Sequence, residues 1–109
     1  MTEVEELEEQ ATELKEMIEF SKSIRNLESN PDFNKVIIEG YCQKEMARNL
    51  GLAVSDKLNP ETRELCNQLA KSPAALKNYL VYQMQRGEAA EEDLVLVEQH
   101  LEELRAKGE

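Results

Sequence analysis

Apolar residues near the start of the chain fall at Val4, Leu7, Ala11, Leu14 and Ile18, with spacings of 3, 4, 3 and 4. That is the a/d seam of an amphipathic helix. A second phase follows at Met17, Phe20, Ile24 and Leu27. The step from Leu14 to Met17 is three where four is due, a stammer that shifts the apolar face. Residues 3–29 contain neither Gly nor Pro, so the pattern predicts one helix, about 40 Å long at about 1.5 Å per residue. Its first half carries little apolar bulk and reads as an arm that needs a partner. Its second half reads as joined to a core.

That helix should end near Ser29, because Asn30-Pro31-Asp32 is a restart signal. Asn30 serves as N-cap, Pro31 as the first helical residue, and Asp32 sits on the positive end of the dipole. Phe33, Val36, Ile37, Tyr41 and Cys42 or Lys44 then line one side of a second helix. Gly40 interrupts it and marks either a close helix crossing or a helix end or bend. Met46, Ala47, Leu50 and Leu52 extend the face until Gly51 and Ser55-Asp56-Lys57 end it.

Asn59-Pro60-Glu61 repeats the device and opens a third helix carrying Leu65, Cys66 and Leu69. Ser72-Pro73 opens a fourth, with Leu76, Tyr79, Leu80, Val81 and Met84 at helical spacing and Gly87 as its C-terminal stop. A fifth helix, from about Glu88 to Ala106, has a seam of Leu94, Val97, Leu101 and Leu104. Acids at its start and Arg105 and Lys107 at its end suit the macrodipole. No segment alternates like a half-buried strand.

The expected fold is all-α: about five helices, with a compact central helical hub and long acidic, heptad-bearing helices at both ends. It forms one domain over residues 1–109, divided into a first helix (1–29), central helices (30–87) and a C-terminal helix (88–109). The residues marked for a partner interface are Val4, Leu7, Ala11 and Leu14 on the first helix and Leu94, Val97, Leu101 and Leu104 on the last. Stripes so long and sparse should reach beyond the chain's own core.

Charge sharpens this division. The formal net charge is −10, with nine acids and three bases in residues 1–29, six and eight in 30–87, and eight and two in 88–109. Acidic arms disfavour direct contact with nucleic acid or an anionic membrane. They read either as solvated helix faces or as surfaces that dock on a basic protein. The longest apolar run, Leu94 to Val97, falls far short of the roughly 20 residues of a membrane span. The acidic N-terminus carries no secretory signal. A reducing compartment is therefore expected, with Cys42 and Cys66 as free, buried thiols. A disulfide would require the helices that carry them to pack side by side.

Candidate chemistry is sparse. The single histidine, His100, reads as a surface or boundary residue, with Glu103 three positions on. Cys42, Cys66 and His100 lack the paired spacing of a zinc site, and nothing local activates either thiol as a nucleophile. Phosphate-loop, dinucleotide and zinc-protease motifs are absent from the sequence. Tyr79 and Tyr82 with Lys77 and Arg86 form the one basic–aromatic group, and the net charge argues against its stacking on bases. No enzyme activity and no cofactor or metal is expected.

Two strings carry a resemblance: Asn30-Pro31-Asp32-Phe33-Asn34-Lys35-Val36-Ile37-Ile38-Glu39-Gly40-Tyr41, and Ala75-Leu76-Lys77-Asn78-Tyr79-Leu80 followed by Gln85-Arg86-Gly87-Glu88. They resemble a family of small helical proteins encoded among the head and tail structural genes of tailed, often short-tailed, bacteriophages. The resemblance runs over roughly residues 14–92 and is weak between Cys42 and Pro73. It implies a setting, virion assembly or the virion itself, and no site residues. The expected function is thus a scaffold-like, head-completion or decoration protein. Its partners would be other copies of itself and capsid or portal proteins, in the host cytoplasm or the particle. The alternative is an acidic inhibitor of a host nucleic-acid-binding protein acting by charge mimicry.

Overall fold

The computed structural model describes residues 1–108. They form three helices, with no strand among the described residues. Helix α1 is Glu3–Glu28. Helix α2 covers residues 31–53 without a break: an α-helical turn Pro31–Phe33, a π-helical stretch Asn34–Glu45 and an α-helical end Met46–Ala53. Helix α3 is Pro60–Ala106.

Three helices stand where about five were expected, and two residues account for the difference. Pro73 lies inside α3 and does not open a helix. Proline has no N–H, so the carbonyl four residues back, Leu69, loses its usual donor. The Ser72 hydroxyl donates to that carbonyl at 2.8 Å, and the helix continues. Gly87, expected to stop a helix, is buried in the middle of one. The other cap signals act as expected. Asn30 Oδ1 accepts from the Asp32 and Phe33 N–H groups at 2.9 and 3.1 Å, and Asn59 Oδ1 accepts from Thr62 N–H at 2.8 Å.

The chain packs as two units, and the compact hub expected over residues 30–87 is not formed. One unit joins Met1–Arg25 to the chain from Val81 onward; the other is Asn26–Leu80. In the first, α1 and the C-terminal part of α3 run antiparallel. Glu8 Oε1 meets Arg105 Nη2 at 2.9 Å and Arg25 Nη2 lies 3.9 Å from Glu88 Oε1, so early residues of α1 face late residues of α3. Their shared core is Ala11, Leu14, Ile18, Ala90, Val97 and Leu101, with Val4, Leu7, Met17 and Leu94 packed against it. Burying a large aliphatic side chain contributes roughly 1.5–3 kcal/mol.

The stammer does not occur. Burial passes from Leu14 to Ile18, Ser21 and Ile24, while Phe20 and Leu27 stay exposed. Ser21, wholly buried at 0% exposure, takes the seam position that apolar counting gave to Phe20. Its hydroxyl donates to the Ile18 carbonyl at 2.8 Å, which removes the cost of burying it. A Cβ on Gly87 would overlap Ser21 and lie 3.3 Å from the Met17 carbonyl. The two helices therefore come together where both side chains are small or missing.

The second unit has a different interior. Its buried residues are Cys42, Asn49, Cys66, Ala70, Pro73 and Leu80. Val36, expected on the inner side of α2, is exposed, whereas Phe33, Ile37, Ile38 and Tyr41 are half-buried. The π-helical winding explains this. Its i→i+5 bonding takes more residues per turn than the roughly 3.6 of an α-helix, so a face chosen at α-helical spacing drifts. Gly40 sits within this stretch, where an added Cβ would lie 3.3 Å from the Lys35 carbonyl, five residues back.

Candidate functional site

Seven of the eight residues marked for a partner interface gather in one cluster instead: Ala11, Leu14, Val97 and Leu101 are buried in it, and Val4, Leu7 and Leu94 are partly buried against it. The eighth, Leu104, is buried as well. The expectation that the chain's own core cannot reach these stripes is overturned. The sparse apolar bulk of α1 is matched by the equally sparse seam of α3, so each satisfies the other. The acids of both helices point to solvent, which lets two negative helices pair.

Ion pairs of this unit are exposed. His100 Nε2 lies 3.4 Å from Glu3 Oε1 on α1, so its acidic neighbour is Glu3 and not Glu103. Glu8, Lys15, Glu98 and Arg105 stand around a cleft of about 560 Å³, where Arg105 is already engaged by Glu8. Surface pairs of this kind contribute about 0–1 kcal/mol each. Among the described residues no three His, Cys, Asp or Glu side chains are grouped to hold a metal ion, and no helix is long and apolar enough to cross a membrane. Arg86 lies over the Tyr82 ring at 5.7 Å from its centroid.

Charge divides sharply between the units. Met1–Arg25 and the chain from Val81 hold sixteen acids and six bases, which is the entire net charge of −10; Asn26–Leu80 holds seven of each. In the neutral unit, Arg48 Nε donates to both Glu45 carboxylate oxygens at 3.1 and 3.2 Å. That hydrogen bond holds the Glu45 carboxyl below the usual carboxylate range and raises the Arg48 guanidinium above its own. Asn49, buried beside them, donates to the Glu45 carbonyl at 3.1 Å. Cys42 and Cys66 are free and buried.

The feature that apolar counting passed over lies on α3 in this same unit. Its interior takes small side chains, Cys42, Cys66 and Ala70, with Leu80 the largest aliphatic. Large ones stay outside: Leu65 is 55% exposed, Leu69 46% and Tyr79 48%, with Leu76 half-buried between them. Leu65, Leu69, Ser72, Leu76 and Tyr79 are spaced 4, 3, 4 and 3, so they form one stripe beside the inward face of Cys66, Ala70, Pro73 and Leu80. Scattered exposed leucines need no explanation; Leu65, Leu69 and Tyr79 are exposed together on one face of α3. The signal was present in the spacing; reading Pro73 as a helix start cut it in two.

Against family models, curated proteins and solved structures the chain finds no match.

Proposed function

We propose that the protein is a non-enzymatic interaction protein. It works through helix-mediated contacts in the assembly of a bacteriophage particle, or as a component of one, in a scaffold-like, head-completion or decoration role. The contact itself is supported by one observation: the neutral unit keeps small side chains inside and a heptad stripe of large ones outside on α3. The bacteriophage setting is supported by the two motifs, residues 30–41 and residues 75–80 followed by 85–88; in that setting the protein would act in the host cytoplasm or the particle.

The test is affinity capture from cells in which particles are being assembled, using the native chain and a Leu65→Gln/Leu69→Gln variant. Capsid or portal proteins should be recovered with the native chain and lost with the variant. Equal recovery with both would remove the stripe from the function.

A second reading has its own observation, the confinement of the net charge to one unit whose acids are exposed. Such a surface imitates a nucleic acid toward a basic host protein. Stoichiometric recovery of a host polymerase or nuclease, released by salt through screening and unaffected by the stripe variant, would favour mimicry over assembly.

A further inference from the structure

We infer that the outward face of α3 in the charged unit docks a basic amphipathic helix of another protein. Val95 and Leu96 receive its apolar stripe, and acids on either side of them receive its lysines or arginines. This rests on the second reading above, in which the charged unit meets a basic protein, and names the kind of segment it meets.

The apolar part comes from the way the structure divides the longest apolar run of the chain. Leu94 and Val97 belong to the contact with α1, while Val95 and Leu96 are 55% and 64% exposed. Glu92 lies three and four residues before this pair, and Gln99 four and three after it; Glu88 and Glu103 lie four residues beyond those. At helical spacing they share one face, with the apolar pair in the middle and carboxylates toward both ends.

The charge around the pair has no explanation inside the chain. Residues 88–103 hold seven acids and no Lys or Arg, and all seven acids are exposed. As the opening of a fifth helix, Glu88, Glu91, Glu92 and Asp93 would gain from the macrodipole. In the structure α3 starts at Pro60, so Glu88 stands about eight turns inside it, where that gain is gone. Glu88 with Glu92, and Glu98 with Glu102, are like charges at i and i+4, which weaken a helix. Among the described residues Glu88 alone of the seven pairs with a base, Arg25 at 3.9 Å. A cationic partner relieves this repulsion.

The two features together select the occupant. Nucleic acid, an anionic membrane and a second copy of this chain all bring negative charge to a negative face. A free cation has no use for Val95 and Leu96, and a purely apolar partner has none for the carboxylates. A helix with an apolar stripe edged by Lys and Arg uses both. The exposed Phe20 of α1 lacks this setting, because Lys22 beside it already holds Glu19 at 3.2 Å.

Calorimetric titration of the full chain tests this, with a peptide of Leu and Lys long enough for about five helical turns and its leucines on one face. The control is a peptide of the same composition, scrambled so that no face is apolar. The amphipathic peptide should bind one to one, and the scrambled one more weakly. Val95→Gln with Leu96→Gln should raise the dissociation constant about tenfold or more. Glu92→Gln with Glu103→Gln should raise it at low salt and less at high salt. Phe20→Gln should leave it unchanged, and circular dichroism should show equal helicity throughout. Equal binding of the scrambled peptide overturns the inference. So does undiminished binding by the Val95/Leu96 or the Glu92/Glu103 variant, or an equal loss on Phe20→Gln. Each of these leaves general attraction to a basic protein standing; no binding of either peptide even at low salt removes that reading as well.

Discussion

Gly87 of α3 lies directly against Ser21 of α1, so close that a Cβ on the glycine would overlap both the Oγ and the Cβ of the serine. The hydroxyl can rotate away, but the serine Cβ and the Met17 carbonyl 3.3 Å from the added atom cannot. The spacing of the two helices is fixed at this point by the absence of one methyl group.

Gly87→Ala should therefore destabilise the fold by about 1–3 kcal/mol, as overpacking does, despite the roughly 1 kcal/mol that alanine adds to helix propensity. Ser21→Gly in the same chain should recover part of the loss. Gly51→Ala is the control. It is exposed near the end of α2 with nothing within 4 Å of an added Cβ, and should be neutral or stabilising by up to about 1 kcal/mol. Urea denaturation of the three variants beside the native chain decides the matter.

The Ser72–Leu69 bond predicts a non-additive pair. Ser72→Ala strands the Leu69 carbonyl and should cost about 1 kcal/mol. In a Pro73→Ala background, residue 73 regains an N–H that reaches the same carbonyl, so Ser72→Ala should then cost close to nothing. The coupling energy from the double-mutant cycle should be about 0.5–1.5 kcal/mol. Additive losses would mean that the hydroxyl does not stand in for the missing donor.

Leu101, 4% exposed, lies where the sequence placed a partner interface. Leu101→Ala should cost about 2–5 kcal/mol in the isolated chain, and Leu7→Glu with Leu14→Glu should unfold the charged unit. Leu96→Ala, at a position 64% exposed, should change stability by no more than about 0.5 kcal/mol. Thermal melts distinguish these outcomes, and equal small effects at Leu101 and Leu96 would return the seam to the surface.

Glu45 titrates below the usual carboxylate range because it accepts from Arg48. A folded-state value below the unfolded one contributes stability above the unfolded pKa, and this is lost as pH falls through the folded pKa. Arg48→Gln should move the Glu45 carboxyl resonance upward in an NMR pH titration and flatten the acid limb of the stability profile. An unmoved Glu45 midpoint would show that the pair does not persist in solution.

What could be read without coordinates was whatever acts within a few residues. Asn30 and Asn59 cap because their side chains reach N–H groups two or three positions on, and both were legible. Pro73 and Gly87 were misread because the same residue types end helices in other surroundings. What they do in this chain depends on a hydroxyl one residue away and on a serine in another helix. Ser21 was invisible to apolar counting because a polar residue does not announce that it sits at a helix contact. The α3 stripe was visible as spacing yet divided by the reading of Pro73.

The sequence by itself determined that the chain is helical, where α1 stops, where α2 and α3 start, and that acid gathers toward both ends; these follow from local hydrogen bonding and covalent charge. The tertiary structure alone decided that α1 and α3 satisfy each other's seams, that Gly87 joins helices and does not end one, and that Leu65, Leu69 and Tyr79 are left outside. Burial is a relation between residues far apart in the chain. An apolar position in a heptad carries the same letter whether its partner is its own chain, another copy or water.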